Sequence, residues 1–402
     1  SPLPHSGRGE GAGGRGEGRP IVLIPTGRLA LLPLHAARYT VAGRETWLLD
    51  EFTVTYAPSA LALATARRAL AQRQTAPLRL VGVGNPLPPV AALMELHRQI
   101  RDAVAALPQS DQEAVATIQQ QLTRLVAQST ATLRYEGFQL HDLVQRLPQT
   151  LGEPLTHLHA LVARWPRSLR YAQAELQSVV DLIPPSAATP LYEEDATSAA
   201  LLPLLKGATH LHFSCHGTFN PAEPLDSALI LAGDDRLRLR DLLATDVSGL
   251  DTARLAVLSA CQTAISDFRN LPEELIGLPT GLLQAGVPTV IGTLWSVDDA
   301  GTALLITRTY ELMFQDGQPP AQALRRAQQW LRDLTNAELE AYLTHHQTLA
   351  EARRQQAHRM PFTLLEELME MAVTAVDPSA TPFADPSYWA PFVCYGAGEV
   401  AV

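Results

Sequence analysis

Six short apolar runs, each bounded by turn or loop signals, recur along the chain with helical patterns between them. They are Ile21–Ile24 before Pro25-Thr26-Gly27, Arg79–Val83 before Gly84-Asn85-Pro86, and His210–Cys215 before His216-Gly217. The others are Leu255–Ser259 before Ala260-Cys261, then Thr289–Leu294, and finally Pro391–Gly396. Runs this short and this continuously apolar read as strands covered on both faces. Helical patterns fill Ser59–Arg73, Ser198–Leu205, Glu273–Ala285, Asp298–Phe314 and Pro320–Leu334. Strands alternating with helices predict an α/β fold: a three-layer sandwich with a mostly parallel central sheet of about six strands and helices on both faces. In such a sheet, chemistry gathers at the carboxyl ends of the strands.

Composition narrows the classes. With 46% hydrophobic and 18% charged residues, the 402-residue chain is neither disordered, collagenous nor a coiled coil. A net charge of −10 argues against a general nucleic-acid surface. Three cysteines, Cys215, Cys261 and Cys394, cannot form a disulfide framework and suit a reducing cytosol. No apolar run approaches the roughly 20 residues of a membrane helix, so no membrane partner is expected. Residues 1–19 are dominated by a glycine-rich stretch that reads as a flexible linker, as though something precedes it in a longer protein. Residues 20–402 then form one domain. Two stretches within it, 91–168 and 335–378, lack convincing strands and read as helical insertions on the common core.

Two strand ends carry reactive groups. The third run delivers His216-Gly217, and the fourth delivers Cys261, 45 residues after His216. If the two strands are parallel neighbours, both side chains leave the same edge of the sheet. A cysteine thiol is mostly protonated at neutral pH and needs a base to become a nucleophile. An imidazole can take that proton and later protonate a leaving amine. Backbone amides at Gly217 and Cys261 can supply an oxyanion hole, and glycine permits close backbone approach there. His210, His212 and His216 share one strand face while Cys215 points away, so these four cannot converge on one metal. Neither a metal nor a cofactor is expected, and His210 and His212 read as packed, hydrogen-bonded histidines. Gly82-Val83-Gly84-Asn85-Pro86 resembles a phosphate loop only weakly, because it lacks a lysine and Pro86 and Pro88 disfavour an immediate helix.

Leu211-His212-Phe213-Ser214-Cys215-His216-Gly217 and Leu258-Ser259-Ala260-Cys261-Gln262-Thr263 together resemble the CHAT domain, a caspase-like peptidase module. The histidine-to-cysteine spacing is close to that of caspases, and Ala260-Cys261-Gln262 matches their cysteine motif. That motif departs at Ser259 and Thr263. Ile21–Ala36, Leu225–Leu229, Gly281–Asp299 and Tyr388–Phe392 resemble further ordered parts of the same family. The resemblance implies a cysteine endopeptidase related to caspases and separase, acting on a protein substrate, with His216 as catalytic histidine, Cys261 as nucleophile and Gly217 as oxyanion donor. In bacteria such modules often follow TPR repeats and answer to a regulatory domain or partner. The likeness to separase around Trp295–Asp299 implies an acidic pocket for a basic side chain, with Asp267 and Asp299 as candidates. Asp298 reads instead as a helix N-cap. The alternative reading is a non-catalytic, partner-binding adaptor with a residual dyad.

Overall fold

The computed structural model describes residues 18–73, 75–108, 113–127, 140–165, 169, 171–218, 220, 223–244, 249–259, 277–295, 297, 299–354 and 377–398. The strands, in chain order, are β1 (Arg19–Leu23), β2 (Arg38–Val41), β3 (Arg44–Trp47), β4 (Phe52–Tyr56), β5 (Leu80–Gly84), β6 (Ala188–Tyr192) and β7 (His210–Ser214). They continue with β8 (Gly217–Thr218), β9 (Ala228–Ile230), β10 (Arg236–Arg238), β11 (Leu255–Leu258), β12 (Thr289–Thr293) and β13 (Phe392–Gly396). The main sheet runs β1-β4-β13-β12-β11-β7-β5-β6. Its pairings are parallel except between β12 and β13. The carboxyl ends of β6, β5, β7, β11 and β12 therefore share one rim, while β13, β4 and β1 run the other way.

Six of the eight strands are those expected from their apolar runs. The other two, β4 and β6, carry weaker signals. In β4 two threonines interrupt the apolar residues. In β6 the run contains Pro190, which a sheet tolerates here because β6 is an edge strand. Arg19, expected in the glycine-rich lead-in, is already the first residue of β1, while residues 1–17 lie outside the described residues.

The helices that bear on the site are α1 (Ala60–Arg73), α2 (Val90–Ala105), α3 (Glu113–Val126), α4 (Glu153–Ala163), α5 (Ala172–Val180) and α6 (Ser198–Leu205). After them come α7 (Leu239–Leu243), α8 (Leu278–Gln284), α9 (Asp299–Phe314), α10 (Pro320–Asp333) and α11 (Asn336–Arg354). Successive strand residues face opposite layers, so the core splits in two. Leu255 and Val257 of β11 pack with α5, α9 and α10. Leu211 and Phe213 of β7, with Ala256 and Leu258 of β11, pack on the other side with α6, α7 and α8. Among the described residues no helix is long and apolar enough to cross a membrane.

Between β5 and α5 the chain makes α2, α3 and α4, which have a core of their own containing Leu93, Ile100, Leu122, Leu158 and Trp165. Both ends of this excursion meet at Asn85. The Asn85 N–H donates to Ser214 O (2.9 Å), and the Leu169 N–H donates to Asn85 Oδ1 (3.0 Å). Asn85 has φ of 49°, a left-handed conformation that asparagine accepts better than most residues. The helical excursion is thus fastened at the end of β5, beside the end of β7.

The glycines of β5 have a packing cause. A Cβ at Gly82 would stand 2.3 Å from Leu176 Cδ1, so α5 lies directly on the strand. That close approach accounts for Gly82 without any phosphate to cradle.

Candidate active site at the carboxyl rim of the sheet

β7 and β11 are parallel neighbours, as the sequence reading required. Their register pairs Leu255 with His210 and Leu258 with Phe213, an offset of 45 residues. The Ser259 N–H donates to Phe213 O at 2.9 Å, which carries the ladder past the last strand residue.

His216 follows the end of β7 and is half-buried. Its carbonyl accepts from the Ile230 N–H at 2.8 Å. That bond opens the small antiparallel sheet β10-β9-β8, in which Gly217 faces Leu229. In an antiparallel ladder, hydrogen-bonded and non-hydrogen-bonded pairs alternate. His216 and Ile230 are the bonded pair, so Gly217 and Leu229 are not. The Gly217 amide therefore points away from β9 instead of into the ladder.

Asp299 is half-buried and opens α9, six residues beyond the end of β12. It stands on the same rim of the sheet as the end of β7. Cys261, Asp267 and Asp298 lie outside the described residues. Among the sequence-derived candidates, then, His216, Gly217 and Asp299 have described positions.

The other two cysteines are placed plainly. Cys215 and Cys394 are buried. Burial pushes the Cys215 thiol far up, with the charge of Glu175 adding to it, and pushes the Cys394 thiol up to about 12. Neither is a thiolate at neutral pH.

His210 and His212 are packed histidines. His210 Nδ1 lies 2.9 Å from Thr209 Oγ1, and its ring packs on Phe314. Burial, helped by the Arg254 charge, lowers its pKa to about 3. His212 belongs to a buried polar cluster that the sequence reading did not single out. Its Nε2 lies 3.0 Å from Glu175 Oε1, and its Nδ1 lies 3.2 Å from the Tyr310 hydroxyl. The Ser259 hydroxyl donates to Glu175 Oε2 at 2.9 Å. Glu175 is 2% exposed and His212 is fully buried. A signal for Glu175 did exist in the sequence. It falls on the face of α5 shared by Ala172, Leu176 and Val179, where a charge is out of place without a partner.

The CHAT domain family model matches residues 10–397. A comparison with curated protein sequences found no match. Among solved structures, the chain is similar to the Arg-specific cysteine proteinase gingipain R (RgpB), with 8% identity and a TM-score of 0.39. That alignment covers 88% of this chain and 56% of the proteinase, so the chain spans little more than half of that protein. A complex of the Porphyromonas gingivalis RgpB pro- and mature domains is similar at 7% identity and a TM-score of 0.34, covering 81% of this chain and 79% of that one.

Proposed function

We propose, from the premise that this chain belongs to the CHAT domain family, that it is a cysteine endopeptidase whose His216 and Cys261 form the catalytic dyad. The observation that carries the proposal is the register of β7 and β11. The same offset of 45 residues that pairs their last residues also relates His216 to Cys261. Ser259, still hydrogen-bonded to β7, is two residues from Cys261, a reach of at most about 7–8 Å along the chain.

In this mechanism the His216 imidazole takes the Cys261 thiol proton. The thiolate attacks the scissile carbonyl carbon, and the negative charge passes to the carbonyl oxygen. Amides of Gly217 and Cys261 donate to that oxyanion; each such donor contributes about 3 kcal/mol. The imidazolium then protonates the departing amine, leaving an acyl-thioester on Cys261. A water molecule, deprotonated by His216, hydrolyses the thioester and restores the dyad. On this reading Asp299, with Asp267 as the second candidate from the sequence, receives a basic side chain before the scissile bond. Access to the cleft is controlled by a regulatory domain or partner of TPR type.

The test is mass spectrometry of cut sites after incubation with a peptide library. The expected result is a set of products sharing a basic residue on the amino side of the cut, all absent with Cys261→Ala. Products that persist in that variant, or none from the wild type in the presence of its regulatory partner, would contradict the proposal.

A further inference from the structure

The Glu175 cluster joins the two strands that lead to the dyad. Glu175 comes from α5, His212 from β7, Ser259 from the end of β11, and Tyr310 from α9. His212 is four residues before His216, and Ser259 is two before Cys261. We propose that Glu175 is a positioning residue for the dyad: its single buried carboxylate ties β7 to the end of β11 and sets a negative charge behind the two strands that lead to the imidazole and the thiol. This rests on the peptidase reading above.

The contacts of the cluster run from strand to strand through Glu175. His212 Nδ1 lies 3.2 Å from the Tyr310 hydroxyl, and His212 Nε2 lies 3.0 Å from Glu175 Oε1. Ser259 donates to the other carboxylate oxygen. One carboxylate thus meets a side chain from each strand, one at each of its oxygens. Burial makes any loss of a partner within the cluster costly. The Glu175 charge already reaches Cys215, the neighbour of His216 in sequence.

Among the described residues, the titratable groups that face Glu175 are His212 of β7, Cys215 at the end of that strand, and Tyr310 of α9. Beneath it, β5 contributes only apolar residues and glycine, and the β6 hydroxyl of Tyr192 is bonded to Gln177. Arg308 and Glu311 of α9 pair with each other.

A negative charge favours the protonated form of every nearby group, so removing it lowers the pKa of both dyad members. The experiment reads the alkylation rate of Cys261 by iodoacetamide against pH, quantified on the Cys261 peptide. Glu175→Gln is expected to move the midpoint down by about half a pH unit or more, whereas Ser259→Ala, which keeps the charge, leaves the midpoint in place. A Glu175→Gln midpoint that stays put or rises overturns the proposal. If that variant does not fold, Glu175→Asp takes its place. It keeps the charge but is one methylene too short to span both partners, so kcat is expected to fall about tenfold with KM unchanged; full kcat overturns the tie. Failure of the peptidase reading has a different signature: a wild-type alkylation profile that His216→Ala leaves unaltered.

Discussion

Cys261→Ala is expected to lower peptide cleavage by at least about 10⁴-fold with its thermal melt essentially unchanged. In the proposed mechanism the Cys261 sulfur is the atom that bonds to the substrate carbonyl, and a methyl group cannot replace it. His216→Ala is expected to lower the rate by about 10²–10⁴-fold. Without the imidazole, the thiol returns to an ordinary pKa near 8.5, so only a few per cent is ionised at pH 7, and the leaving amine has no proton donor. His216 is half-buried just past the end of β7, and the variant's melt is measured beside its rate to separate the two effects. Combining both substitutions should cost little more than Cys261→Ala alone, because the two groups act as one unit. Initial rates on a cleaved peptide and thermal melts of the three variants decide the matter. A Cys261→Ala enzyme that retains even a tenth of the wild-type rate is incompatible with the mechanism.

Mild acid should weaken the fold through two buried histidines. His35 and His210 are both buried as neutral imidazoles. His35 lies with its Nδ1 2.9 Å from the Tyr56 hydroxyl, and burial lowers its pKa to about 4 despite a backbone hydrogen bond at Ala390. His210 is lowered to about 3 by burial and by Arg254. In the unfolded chain both take up a proton near pH 6.5. Between pH 6.5 and the folded values, the unfolded state binds more protons, so stability falls as pH falls. The slope is about 1.4 kcal/mol per pH unit for each histidine. At pH 5 the two together cost about 4 kcal/mol, a large part of the 5–15 kcal/mol typical of a domain. Urea midpoints at pH 7 and pH 5 measure this. His210→Gln should recover about half of the difference between the two pH values, whatever it does to stability at pH 7. Equal wild-type midpoints at both pH values would contradict the burial of these two side chains.

The legible part of the fold follows from how a parallel sheet is built. Strands covered on both faces must be continuously apolar, so β5, β7, β11 and β12 announce themselves, and the turns that end them mark the functional rim. β4 hides because its threonines break the run. β6 hides because an edge strand can hold Pro190. His216 and Gly217 were readable because they stand where an apolar strand stops. The apolar face of α5 marks Glu175 as a charge in need of a partner, but which residues of β7 and β11 meet it is a fact of register that no local pattern contains. The same holds for Asn85, whose side chain secures Leu169 across 84 positions of sequence. Gly82 and Gly84 show the converse. A glycine pattern after a strand suggested a ligand, whereas the close packing of Leu176 is cause enough.

The most direct measurement is which sulfur a peptidyl electrophile modifies. A peptide with a basic residue next to an acyloxymethyl ketone is incubated with the folded protein at pH 7, and the three cysteine peptides are quantified by mass spectrometry. The expected result is modification at Cys261 alone, lost in His216→Ala, with Cys215 and Cys394 unmodified because burial keeps both thiols protonated. Equal modification of all three cysteines, or modification of Cys261 that is indifferent to His216, would contradict a dyad at this rim.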